Sequence, residues 1–161
     1  MIEIIDVLPE DFVNYKVPGM HIAFPRCTFK CDLDCGLDVC QNSRLALAPR
    51  KKVDENKLVR LYLGNPISEC FIFAGLEPFD TPADMYRLID AIRSCGIEDP
   101  IVIYTGYTKE EISVSGHIEE LSKYGNIIVK FGRFVPNKHH HFDEVLGVEL
   151  ASDNQYAEKI C

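Results

Sequence analysis

The chain has 161 residues, 47% apolar and 26% charged, the length and balance of one globular domain that builds its own core. These values exclude intrinsic disorder, collagen-like repeats and small disulfide scaffolds, and no stretch of about 18 apolar residues is present to span a membrane. Seventeen Lys and Arg against 25 Asp and Glu leave a net charge of −8, which argues against nucleic acid as a partner because such binders carry a basic face. The densest basic run, residues 49–52, reads as a solvated loop. Acidic residues near the N-terminus stand where a signal peptide carries positive charge, so a cytoplasmic location is expected.

Taken in chain order, residues 20–24 read as a strand that runs directly into a cysteine-rich loop. Residues 54–63 place Leu58, Leu61 and Tyr62 at helical spacing. Residues 70–74, an unbroken apolar run, suit a parallel strand covered on both faces. Thr81 and Pro82 then open a helix as N-cap and first residue; Met85, Leu88, Ile89 and Ile92 form its apolar face, and Gly96 closes it. Residues 101–104 form the next strand, Thr108 opens a helical stretch through Ile112, and a second begins near His117. Residues 126–131 are another strand, and a short last one falls within residues 145–150. Strands and helices in alternation predict an α/β fold with a mostly parallel sheet, in one domain spanning residues 1–161. A complete eight-stranded barrel takes about 250 residues, so the expected architecture is a partial (βα) barrel.

Cysteine departs from the average. There are seven, and Cys27, Cys31, Cys35 and Cys40 fall within fourteen residues. In a reducing compartment such a cluster points to metal or redox chemistry. Cys70 and Cys95 sit in apolar patterns and read as core residues. Two chemistries suit the cluster: a structural zinc ion closed by four thiolates, or an iron–sulfur cluster held by three or four of them. The spacings of three, three and four residues fit paired zinc knuckles only loosely. Glu77, in Gly75-Leu76-Glu77-Pro78, follows the strand 70–74, and a polar turn, Tyr104-Thr105-Gly106-Tyr107-Thr108, follows the strand 101–104. Ligands bind at the carboxyl ends of strands in such sheets, so three strand ends, with the cysteine loop first, converge on one site.

These motifs resemble those of small radical S-adenosylmethionine proteins of the anaerobic ribonucleotide reductase activating type. That family has a strand followed by a cysteine triad, matched here by Cys27, Cys31 and Cys40 with Gln41-Asn42-Ser43 after the last; Cys35 is the alternative to Cys40. Its Gly-Gly-Glu-Pro element is matched by residues 75–78, its Tyr-Thr-Gly-Tyr-Thr turn by residues 104–108, and a late Ser-x-Asn-Gln step by residues 152–155. The likeness covers residues 20–160. There are two departures: eight residues separate Cys31 from Cys40 where the common triad has two, and Leu76 replaces the second glycine. On this match the insert 32–39 is a loop and Cys35 a spare thiol.

The resemblance implies a [4Fe–4S] cluster on Cys27, Cys31 and Cys40, whose open iron chelates S-adenosylmethionine. It further implies reductive cleavage to methionine and a 5′-deoxyadenosyl radical under anaerobic conditions, with an external electron donor. Gly75, Leu76, Glu77 and Pro78 would meet the methionine amino group, and Thr105, Gly106 and Tyr107 would line the pocket. The implied partner is the large subunit of a glycyl-radical enzyme, such as anaerobic ribonucleotide reductase. Two other functions stay open: a radical enzyme acting on a peptide or small molecule, and a non-catalytic zinc or iron–sulfur interaction module. His139, His140 and His141 read as an exposed loop. Lys130 and Arg133 read as partners of a carboxylate or of another chain, or equally as a solvated edge.

Overall fold

Apolar strands alternate with amphipathic helices through the computed structural model, which describes residues 1–161. In chain order the elements are β1 (Ile2–Ile4), β2 (Asp6–Asp11), β3 (Gly19–Phe24), α1 (Lys30–Cys35), β4 (Lys51–Val53), α2 (Glu55–Leu63), β5 (Cys70–Gly75), α3 (Pro82–Ser94), β6 (Ile101–Tyr104), α4 (Lys109–Val114), α5 (His117–Leu121), β7 (Ile127–Phe131), β8 (His141–Asp143), β9 (Val148–Leu150) and β10 (Tyr156–Lys159). Six strands form one sheet in the order β10-β7-β6-β5-β3-β2. β3, β5, β6 and β7 run parallel, while β2 and β10 pair antiparallel at the two edges. The outer edges stay unpaired, so the sheet is open and mixed, and no closed barrel forms. β1 pairs with β4 and β8 with β9 as separate ribbons.

Side chains alternate across the sheet, and the two faces have different covers. Phe24, Phe71, Phe73, Ile103 and Val129 pack against Leu58, Val59 and Tyr62 of α2 and Met85, Leu88, Ile89 and Ile92 of α3. The opposite face carries Cys70, Ile72, Val102 and Ile128, which pack on Tyr15, Leu146 and Leu150. This second cover reaches only part of the face. Toward the carboxyl ends of the parallel strands it leaves a cavity.

Several sequence expectations need correction. Leu61 is exposed and Val59 takes its place in the core, because the buried arc of α2 centres on Leu58 and Tyr62. Thr81 occupies the N-cap position of α3 but makes no capping bond, and its Oγ1 is buried without a partner. Cys95 is exposed at the C-cap of α3, outside the core; Cys70 is fully buried. Val148–Leu150 is no strand of the main sheet: it pairs with β8, and the final strand is β10. The basic run is not wholly loop, since Lys51 and Lys52 lie on β4. The insert after Cys31 is not wholly loop either, because α1 continues to Cys35. His139 and His140 are exposed, whereas His141 starts β8 and its Nε2 lies 2.6 Å from the Gln155 carbonyl oxygen. No helix is long and apolar enough to cross a membrane.

Candidate functional site

A cavity of about 610 Å³ opens at the carboxyl ends of β3, β5, β6 and β7. Cys27, Cys31 and Cys40 line it, together with Gly75, Leu76 and Glu77 after β5 and Thr105, Gly106 and Tyr107 after β6. Cys35 does not line it, and neither does Pro78, which is buried at the start of a 3-10 turn, Pro78–Asp80. A fourth strand end, which the sequence reading left out, adds Lys130, Gly132 and Arg133.

Local geometry explains how the thiols reach this wall. After β3 the chain turns through Phe29 at φ 53°, a left-handed conformation rare for so bulky a residue. The Phe29 N–H donates to Cys27 Sγ at 3.2 Å, and its carbonyl accepts from Asp32 and Leu33 as α1 begins. α1 ends at Gly36 with φ 65°, and the insert folds back. There Asp32 Oδ1 accepts the backbone N–H of both Val39 and Cys40 at 2.7 Å. Burial pushes the Cys27 thiol up to about 12, with Glu77, Asp80 and Cys40 adding to it against the Phe29 N–H. Burial likewise raises Cys31, and Cys40 reinforces the shift. Cys40 thus raises both other thiols.

Glu77 is buried and fully engaged. Its Oε1 accepts from Thr105 Oγ1 at 2.9 Å and the Phe79 N–H at 3.1 Å; its Oε2 accepts the Gly106 N–H at 2.9 Å. It therefore ties the end of β5 to the turn after β6 and caps the Pro78–Asp80 turn, leaving α3 to Thr81. Burial carries its carboxyl up to about 7 in spite of these three donors. Lys130 is also buried, not a solvated edge: its side chain lines the cavity, with Nζ 5.8 Å from the centre of the Tyr104 ring. Burial pulls its ammonium down to about 8, against the pull of Glu77 and Cys31, and Nζ donates to the Gly132 carbonyl at 2.9 Å. Arg133 is mostly buried, pairing with Glu111 at 2.7 Å and Asp34 at 2.9 Å, and Lys30 meets the same Glu111 at 3.2 Å. These pairs strap the cysteine insert to the sheet. Tyr107 donates to Asp80 at 2.5 Å, and the other oxygen of Asp80 accepts the Thr28 N–H.

The thiols of Cys27, Cys31 and Cys40 border one cavity, and thiolates are the ligands iron–sulfur clusters take. Gly106 keeps space open beside them: a Cβ there would sit 3.7 Å from both Cys31 Sγ and Glu77 Oε2. An α/β domain with this arrangement at its strand ends belongs to the iron–sulfur class. Residues 20–155 match the 4Fe-4S single cluster domain family, and the chain belongs to that family. No curated protein and no solved structure matches the chain.

Proposed function

We propose that the chain is a radical S-adenosylmethionine enzyme that activates a glycyl-radical enzyme, such as anaerobic ribonucleotide reductase. The observation that carries this reading is the grouping of Cys27, Cys31 and Cys40, without Cys35, in one cavity with Glu77 and the Thr105–Tyr107 turn. In this reading the open sheet is the wall of an incomplete barrel, and the three cysteines hold a [4Fe–4S] cluster. When bound, that cluster would supply the electron, drawn from an external low-potential reductant, for reductive cleavage of S-adenosylmethionine to methionine and the hydrogen-abstracting species that would act on a glycine of the partner.

The chain's own residues bind and orient. Lys130, a cation enclosed in the cavity wall, pairs with the substrate carboxylate. Glu77 draws the substrate's positive charge while holding the two turns that shape the pocket. The walls exclude water, which would otherwise compete for the radical's surroundings. Leu8 and Val13 line the cavity and are exposed, giving the mouth an apolar rim for a macromolecular partner.

The test is anaerobic reconstitution with iron and sulfide, reduction with dithionite, and chromatography for 5′-deoxyadenosine. Product formation, lost in C40A and kept in C35A, is the expected result. A reconstituted cluster that yields no 5′-deoxyadenosine contradicts the reading.

A further inference from the structure

Below the cysteines the same cavity holds a pair of side chains that the reaction above leaves without a role. His21 lies on β3, and its Nδ1 is 2.7 Å from Oδ2 of Asp11 on the neighbouring β2. Asp11 is buried, 2% exposed. Its Oδ1 also accepts the N–H groups of Val13 at 2.8 Å and Asn14 at 3.1 Å, and its Oδ2 accepts Asn14 Nδ2 at 2.6 Å. Burial alone would raise the Asp11 carboxyl, but His21 and these donors hold it well below the usual carboxylate range. An ionised carboxylate only accepts, so Nδ1 of His21 carries the hydrogen and donates it. In the neutral ring Nε2 is then an acceptor.

That second nitrogen makes no hydrogen bond within the chain, although the ring is 20% exposed and lines the cavity. The register shows why the cavity reaches it. His21 stands in a row with Ile72, Val102 and Ile128. Two residues nearer the strand ends, about 7 Å along the sheet, Ala23 pairs with Ala74. Two methyl groups side by side leave open the space above His21 that larger side chains would fill. A histidine serving only the core would be enclosed and satisfied at both nitrogens. This one is fixed at one nitrogen by a buried anion and presented to a cavity by the other.

We propose that His21, oriented by Asp11, is a binding subsite on the cavity floor whose Nε2 accepts a hydrogen bond from an N–H or O–H of a bound substrate. The proposal rests on the radical reading for its occupants. Two sources offer this chemistry: the ribose hydroxyls or adenine amine of S-adenosylmethionine, and a backbone amide of the radical-accepting polypeptide.

The experiment footprints His21 in the reconstituted protein with diethylpyrocarbonate, read by mass spectrometry. It is run with no addition, with S-adenosylmethionine, and with the purified reductase large subunit from the same genome. The exposed His139 and His140 serve as internal controls. Protection of about tenfold at saturation, specific to His21, is expected; protection by S-adenosylmethionine alone assigns that source, and protection only by the polypeptide assigns the other. H21F is expected to raise the KM of the protecting molecule about tenfold, the loss of one hydrogen bond left unpaired, with partial rescue in H21Q. The thermal midpoint of each variant reports its folding. No protection by either molecule, or H21F kinetics equal to wild type, overturns the subsite. Absence of 5′-deoxyadenosine in the wild type overturns the radical reading instead, and the footprint still decides the subsite.

Discussion

Asp32 holds Cys40 in place: one carboxylate oxygen accepts the backbone N–H groups of Val39 and Cys40, each at 2.7 Å. The bonds span an insert of eight residues between the second and third cavity thiols. They explain how so long a spacing returns a cysteine to the same wall. D32A is expected to lower cluster loading about tenfold, because two hydrogen bonds to a charged acceptor are lost. Asp38, on the same insert, is exposed and makes no side-chain hydrogen bond, so D38A should load normally. Iron content and visible absorbance after reconstitution measure both. Equal loading in the two variants sinks this role for Asp32.

The strap formed by Arg133, Glu111, Asp34 and Lys30 makes stability sensitive to acid. The Arg133 guanidinium, with the Thr108 N–H and Lys30, holds the Glu111 carboxyl down at about 2. Its ordinary unfolded value is about 4.3. A depressed carboxyl contributes stability that is fully present above the unfolded value and lost as pH falls toward the folded one. Wild-type stability should therefore decline between about pH 4.3 and pH 2, and E111Q should decline less over that window. Urea denaturation of the metal-free protein at several pH values measures the difference. Parallel acid limbs would remove Glu111 from the account.

Gly75 and Gly106 separate folding from ligand capacity. Gly75 has φ 87°, and a Cβ there would lie 2.7 Å from the Cα of Ala23. G75A combines left-handed strain with a backbone clash and should cost about 2–4 kcal/mol. At Gly106 the nearest atoms stand at 3.7 Å, so G106A should keep its thermal midpoint within about 1 kcal/mol equivalent. Its methyl group nevertheless enters the space between Cys31 and Glu77, and S-adenosylmethionine binding should weaken. Calorimetry and a binding titration on the two variants check the contrast.

Lys130 offers a third separation. Its ammonium is buried and destabilised there, and it donates to the Gly132 carbonyl. K130M removes a costly buried charge and should leave stability equal or higher, while the KM for S-adenosylmethionine rises about tenfold or more. A fall in stability with unchanged KM would make Lys130 structural only.

Apolar continuity made much of the fold readable. The runs at β5, β6 and β7 are buried on both faces and announce themselves, as does the capping box in which Thr108 and Glu111 exchange bonds at the start of α4. Edge strands were not legible. Tyr156–Lys159 buries only Ala157, and Asp6–Asp11 contains Pro9 and three acidic residues, so neither pattern suggests a strand. That Cys40, Glu77 and the Thr105–Tyr107 turn line one cavity was foreshadowed by local motif: Cys40 by the Gln41-Asn42-Ser43 after it, against its long spacing, and the others by their places directly after apolar strands. Lys130 was not, since a lone charge after three apolar residues does not tell that its face of the sheet is walled into the cavity. The pairing of Asp11 with His21 depends on the register between β2 and β3, which no local pattern encodes.

Electron paramagnetic resonance of the reduced, reconstituted protein, recorded with and without S-adenosylmethionine, addresses the central claim most directly. A [4Fe–4S]⁺ signal whose g-values shift on addition means that one iron is open and takes the substrate, as expected for a cluster held by Cys27, Cys31 and Cys40. A signal indifferent to S-adenosylmethionine, or one that needs Cys35 as a fourth ligand, contradicts it.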